Sequence, residues 1–152
     1  MIQRIQSLYL FIVLLLTAAM FFLPFANFSL AGNAYCFNYL GIVNQQTNDL
    51  LVKILPIVIL LALILFISIF SIFSFKKRKF QMNLGKINII FLLALIAIEA
   101  LSLHRIIYYF KAEDIKYLFP LIFPVVSIIF ILLANRAIKK DEELVRSVDR
   151  IR

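Results

Sequence analysis

Long apolar runs dominate the chain. Four of them cover residues 7–25, 54–75, 87–103 and 118–135. A helix that crosses the roughly 30 Å hydrocarbon core of a bilayer needs about 20 mostly apolar residues. The strands of a membrane barrel have about 10 residues each and alternate polar with apolar positions, whereas these runs are apolar on every face. The pattern therefore predicts an all-α membrane protein, a bundle of four transmembrane helices in one domain.

The composition agrees with this pattern. The 152 residues are 64% hydrophobic and 16% charged, and their mean hydropathy is +1.01. A soluble domain is about half apolar and about a quarter charged, so soluble globular and disordered proteins are both excluded. With 3 glycines and 1 cysteine, a collagen-like repeat, a disulfide scaffold and a four-cysteine zinc site are excluded as well.

The distribution of basic residues predicts the orientation. Of the 16 lysines and arginines, 12 lie at the two termini or between the second and third runs, and 4 lie in the other two connections. The positive-inside rule then places both termini, and the connection between the second and third runs, in the cytoplasm, with the chain crossing the membrane four times. The net charge of +8 indicates attraction to anionic lipid headgroups, and nucleic acid is not a predicted partner. A cleaved signal peptide is the alternative for the first run, but that run continues past the small residues at 17–19.

The two outer connections differ in length. Residues 26–53 form the longest loop, in which asparagines alternate with aromatic residues. Its segment 34–43 is aromatic and β-branched enough to predict a short β-hairpin on the membrane surface. Residues 104–117 are predicted to extend the third helix.

The last segment, 136–152, is predicted to be a cytoplasmic amphipathic helix. Its apolar residues fall on one face, with Asp141 as a polar exception, and Lys139/Glu143 and Glu142/Arg146 are i,i+4 pairs. Its polar face mixes acids with bases, which favours docking to a protein partner, or to the protein's own loop and N-terminus, over lying on lipid. Together with the N-terminus it forms a candidate docking surface made of Arg4, Leu144, Arg146, Val148, Arg150 and Ile151.

Glu99 is the one acidic residue inside an apolar run. An ionisable group in hydrocarbon costs about 2.5 kcal/mol or more and normally faces the bundle interior with a partner. Three nearby residues could be that partner: Lys53, Arg105 and His104. This candidate polar site could order the upper bundle, carry a proton or cation, or bind an outer ligand.

The sequence lacks the motifs that usually mark catalytic, metal-binding or phosphate-binding sites. The only histidine, His104, lies five residues from Glu99 and so on a different helix face, which disfavours a metal site. The sequence has no GxSxG motif, phosphate-binding glycine loop or CxxC. We therefore predict no enzyme activity, no catalytic residue, no metal and no cofactor.

Both termini carry a resemblance to a known family. The segments MIQRIQ at the start and KDEELVRSVDRIR at the end are similar to those of small four-helix membrane proteins of Bacteroidetes, a family described as a domain of unknown function. The resemblance implies a Gram-negative inner membrane and no particular activity. The four-span layout with a longer first outer loop also resembles claudin-like proteins, in architecture alone.

Two functional hypotheses follow. The preferred one is a non-enzymatic accessory or scaffold protein of the inner membrane, which contacts a protein partner or a second copy through the docking surface. The alternative is a small oligomeric transporter, or a ligand- or proton-sensing protein, with an outer cavity around Glu99 that proline-marked helix ends would frame.

Overall fold

The computed structural model describes residues 3–75 and 77–149, and the side chains of 5–75 and 77–143. Within these residues lie four helices: α1 (Gln3–Ala19), α2 (Leu55–Phe73), α3 (Arg78–Tyr108) and α4 (Phe123–Asp149). Three segments are long and apolar enough to cross a membrane, namely Leu55–Phe73, Arg78–Tyr108 and Phe119–Glu143. The apolar part of α1, Ile5–Ala19, is shorter.

The first helix ends six residues earlier than predicted. After Ala19 the chain turns, and Pro24 precedes a strand that begins at Ala26. The apolar run nevertheless continues, because Met20 and Phe25 are buried in the core. The hydropathy pattern therefore could not separate a spanning residue from one that packs beneath a sheet.

Five strands form one antiparallel sheet at the end of the bundle where α2 begins and α3 ends. They are β1 (Ala26–Leu30), β2 (Asn33–Asn38), β3 (Gly41–Asn44), β4 (Leu50–Lys53) and β5 (Glu113–Tyr117), in the spatial order β4-β3-β2-β1-β5. The prediction of an all-α fold was wrong in this respect, and the predicted hairpin is only the centre of the sheet. The predicted helical extension also stops at Tyr108, since β5 pairs with β1.

Turn chemistry explains why the first loop folds into strands. Ala31 and Gly32 join β1 to β2 with φ of 49° and 81°, the left-handed pair that a two-residue hairpin turn requires. At the β2–β3 turn the Asn38 Oδ1 accepts the N–H groups of Leu40 and Gly41. The Asn44 Oδ1 likewise accepts the N–H groups of Gln46 and Thr47, so two asparagines of this loop stabilise turns through Asx-type hydrogen bonds.

The inner face of the sheet closes the end of the helix bundle. Ala26, Phe28, Phe37 and Ile42 are buried and belong to one core with the helices. The rings of Phe25 and Phe37 meet edge to face, with centroids 5.2 Å apart. Aromatic burial of this kind makes the sheet an integral part of the fold.

The other end of the bundle is rich in basic residues, and we call it the basic end. There α3 begins at Arg78, well before the predicted start at residue 87.

The fourth helix starts at the sheet end. A 3₁₀ turn, Phe119–Ile122, leads into α4, which continues without interruption to Asp149. The predicted tail helix is therefore the continuation of the fourth span.

Candidate functional site

All four helices turn one narrow stripe of residues toward a shared interior. Along each stripe the spacing alternates between three and four residues, the repeat of a left-handed helix bundle. α1 packs against α2 and α4, and α3 packs against the same two helices. The stripes comprise Gln6, Leu10, Val13 and Thr17; Ile57, Leu61, Ile64, Ser68 and Ser71; Gln81, Gly85, Asn88, Leu92, Leu95, Glu99, Ser102 and Ile106; Pro124, Ser127, Ile131, Ala134 and Ile138.

Polar residues occupy these interior positions toward the basic end. The Asn88 Nδ2 donates to the Ser68 Oγ at 2.9 Å, and the Gln81 Nε2 donates to the Ser71 carbonyl oxygen at 3.0 Å. These bonds join α2 to α3. Interhelical hydrogen bonds of this type are usual in membrane bundles, so this group has a packing role.

Glu99 is buried, as predicted for a carboxyl within a span. Its side chain is 2% exposed. Among the described residues its Oε1 has no hydrogen-bond partner, and no lysine, arginine or histidine of that part of the chain forms an ion pair with it. It lies nine residues before Tyr108, about 14 Å along α3 from the sheet end. Within the described residues, neither a hydrogen bond to Oε1 nor an ion pair therefore offsets the free-energy cost of burying this carboxyl.

The three predicted partners of Glu99 lie elsewhere. Lys53 and Arg105 are both exposed and line one cavity of about 310 Å³ between β4, α2 and α3. His104 is exposed, and its ring lies 4.4 Å from that of Tyr108. The structure brings together the two cations but not the four-residue site.

We call this cavity the outer groove. Its walls are mainly apolar, and its lining also includes Pro56, Ser102 and Phe110. Along α3 the lining extends from Arg105 to Ile98, so the groove reaches the level of Glu99, which is not itself part of the lining. A groove with two cations at its rim and apolar walls fits an anionic amphiphile.

The predicted docking surface lies outside what the structure describes. Arg150 and Ile151 lie beyond the described residues, and the side chains of Arg4, Leu144, Arg146 and Val148 are also outside the description. The backbone places positions 144, 146 and 148 on α4. The docking surface therefore stays a prediction.

One ion pair at the basic end was not predicted from the sequence. The Arg78 Nη2 lies 2.9 Å from the Asp141 Oδ2, and the Arg78 Nη1 donates to the Asp141 carbonyl oxygen at 3.0 Å. It links the first turn of α3 to α4. The signal was present in the sequence, because Asp141 interrupts the apolar stripe of the tail, and a charge in such a stripe usually has a partner.

Cys36 is a poor candidate for a reactive thiol. It is half-buried on β2 as a free thiol, and burial raises the pKa of that thiol, which makes it less reactive. Within the described residues, no group of three or more histidine, cysteine, aspartate or glutamate side chains could hold a metal ion.

Comparison with known families gives a match over nearly the whole chain. A family model described as a domain of unknown function, DUF4293, matches residues 2–151. The chain belongs to this family. No curated protein matches the DUF4293 chain. The family resemblance carried by the two termini is thus confirmed at the level of the family, and it assigns no activity to any residue.

Proposed function

We propose that this chain is a non-enzymatic accessory or scaffold protein that works through contacts with a protein partner. We place it in a bacterial inner membrane, with both termini in the cytoplasm and the sheet outside. The uneven basic residues support this orientation, because the basic end then faces the cytoplasm. The Bacteroidetes origin implied by the termini is part of the same proposal.

The continuity of α4 is the observation that carries this proposal. The apolar part of the helix ends near Asn135, yet the helix continues to Asp149. Those 14 residues extend about 21 Å at 1.5 Å per residue. A helix that lies on the lipid surface would have to bend where it leaves the span, whereas Arg78 holds α4 at Asp141 on the line of the bundle. In this proposal the tail continues into the aqueous phase in the direction of α4, and a protein partner covers the predicted apolar positions 144, 148 and 151.

The test compares affinity purifications from native membranes in a mild detergent. We expect the full chain to retain a partner of fixed stoichiometry, and Leu144→Asp combined with Val148→Asp to lose it, because two charges would enter the apolar stripe. Lys140→Glu is the matched control, since it also changes the net charge by −2 but leaves the stripe intact. The partner must rebind when both proteins are purified separately.

An unchanged set of partners in the double variant would contradict the docking role. So would a homo-oligomer that is the sole species in every variant. That second outcome would shift attention to the outer groove.

The outer groove favours a second candidate function: a small oligomeric transporter, or a protein that senses a ligand or protons. The supporting observation is that Lys53 and Arg105 share one cavity whose lining extends along α3 to Ile98, the residue before Glu99. Four helices form a narrow conduit, so this function would require several copies.

Glu99→Gln tests this second candidate. The amide has nearly the same volume and removes a buried carboxyl that lacks a described partner, so we expect the thermal midpoint in detergent to rise slightly. Any proton flux into proteoliposomes, followed with a pH-sensitive dye, should fall to the level of empty vesicles. Glu113→Gln, an exposed carboxyl on β5, is the control. Flux that survives Glu99→Gln would exclude a proton role for Glu99.

A further inference from the structure

A second groove lies between the start of α3 and the extension of α4, at the basic end. Its volume is about 570 Å³. Four of its lining residues are cationic and two are acidic, which leaves a formal charge of +2. The lining consists of Lys79, Met82, Lys86, Asn135, Arg136, Lys139, Glu142 and Glu143. We call it the basic groove.

All four cations that line the basic groove are exposed. Lys139 faces Glu143 at 3.9 Å, but both side chains are about two-thirds exposed or more, so their mutual attraction is weak. Lys86 and Arg136 are exposed. Lys86 immediately precedes the apolar run 87–103, and Arg136 immediately follows the run 118–135. The two strongest candidates for anion contacts therefore lie at the membrane boundary.

A glycine makes room for one lining residue of the basic groove, Asn135. A methyl group at Gly85 would lie 2.6 Å from the Asn135 Oδ1 and 2.8 Å from the Asn135 Nδ2. The missing side chain lets the amide of Asn135 rest against α3, next to Lys86. Asn135 thus contributes an amide group to a lining that also contains cations from both helices.

Apolar side chains lead from the basic groove toward the membrane centre. On α3, Ile90 and Leu93 are 62% and 54% exposed, and they follow Lys86 on the same helix face. On α4, Ile129 and Leu132 are 53% and 55% exposed and precede Arg136 in the same way. Acyl chains would lie along these residues when a headgroup occupies the groove.

We propose that the basic groove binds the phosphate-bearing headgroup of an anionic phospholipid. Basic pockets between transmembrane helices on the cytoplasmic side are typical sites for such headgroups. The apolar strips on both helices favour a lipid over a free phosphate ion, because an ion gains nothing from them. Lipid binding at the basic groove does not require the accessory function, but it rests on the proposed orientation, which puts this groove on the cytoplasmic side.

The experiment measures lipid binding to the purified full-length chain in neutral detergent. Phosphatidylglycerol should raise the thermal midpoint and persist as a bound adduct in native mass spectrometry. Phosphatidylcholine should do neither, and inorganic phosphate at the same concentration should have no effect. These arms need no variant, so they hold even if a substitution prevents folding.

Variants then locate the site. Lys86→Gln combined with Arg136→Gln should weaken phosphatidylglycerol binding about 10- to 30-fold. Lys111→Gln combined with Lys116→Gln removes the same charge at the sheet end and should leave binding unchanged. Equal effects of phosphatidylglycerol and phosphatidylcholine, or of both double variants, would overturn the proposal. Stabilisation by inorganic phosphate alone would replace the lipid with a free ion and overturn it as well.

Discussion

Gly41→Ala should detach β3 from β4 and lower the free energy of unfolding by about 4 kcal/mol or more. Single substitutions rarely cost this much, and here the cause is a clash with backbone atoms. Gly41 has a φ of 134°, which side chains rarely adopt. A methyl group there would overlap the carbonyl oxygen of Val52 and lie 3.1 Å from the amide nitrogen of Ile54. Both are backbone atoms, so no change of side-chain rotamer relieves the overlap.

The single cysteine gives a direct readout of this effect. Cys36 lies opposite Val43 in the β2–β3 pair, and its thiol is half-buried. Gly41 also pairs with Asn38 of β2, so the clash should loosen β3 from β2 as well and speed alkylation of Cys36 in detergent by about tenfold or more, alongside a lower thermal midpoint. Any labelling that occurs at another position would appear by mass spectrometry as a background, since the chain contains 1 cysteine.

Gly32→Ala is the matched control. Gly32 also has a positive φ, 81°, but a methyl group there meets nothing within 4 Å. We expect only the backbone strain of a left-handed alanine, about 1 kcal/mol. Equal alkylation rates for Gly32→Ala and Gly41→Ala would show that the contact with Val52 is unimportant.

Detachment of β4 should also remove the outer groove. Ile42, Val52 and Lys53 supply its sheet side, and they belong to β3 and β4. Ligand effects that depend on this groove should therefore disappear in Gly41→Ala, while binding at the basic groove should persist at temperatures where the helices remain folded. The two grooves can thus be tested separately.

The helices were predictable because apolar runs of this length have one stable form in a membrane. The strands were harder to predict. β5 has the sequence Glu113-Asp114-Ile115-Lys116-Tyr117, which lacks an apolar alternation. It becomes a strand because β1, more than 80 residues earlier, offers an edge for pairing. Such long-range pairing cannot be inferred from a local pattern.

The candidate site was predictable to a similar degree. The burial of Glu99 follows from the cost of a carboxyl in hydrocarbon, and the structure agrees. The choice among Lys53, Arg105 and His104 as its partner depended on side-chain direction, which spacing along one chain does not determine. Lys53 and Arg105 instead line the outer groove together, Lys53 from β4 and Arg105 from α3.

The second large effect concerns the ion pair between Arg78 and Asp141. Their side chains are only 24% and 14% exposed. Removal of one partner leaves a poorly hydrated charge, so Arg78→Ala and Asp141→Ala should each cost about 1–3 kcal/mol. The double variant should be no less stable than the worse single variant, because both charges are then absent. Thermal unfolding of the four proteins in detergent gives this double-mutant cycle.

Lys139 and Glu143 provide the control cycle on the same helix. Their 3.9 Å pair is 72% and 66% exposed, so its coupling should stay below about 0.5 kcal/mol. If Arg78 and Asp141 prove equally uncoupled, the ion pair does not hold α4. If they couple as expected, hydrogen exchange in residues 141–149 should accelerate in either single variant, because the tail loses its link to α3. Loss of the protein partner in Asp141→Ala as well as in the stripe variant would then tie the proposed docking role to a tail held in line with the bundle.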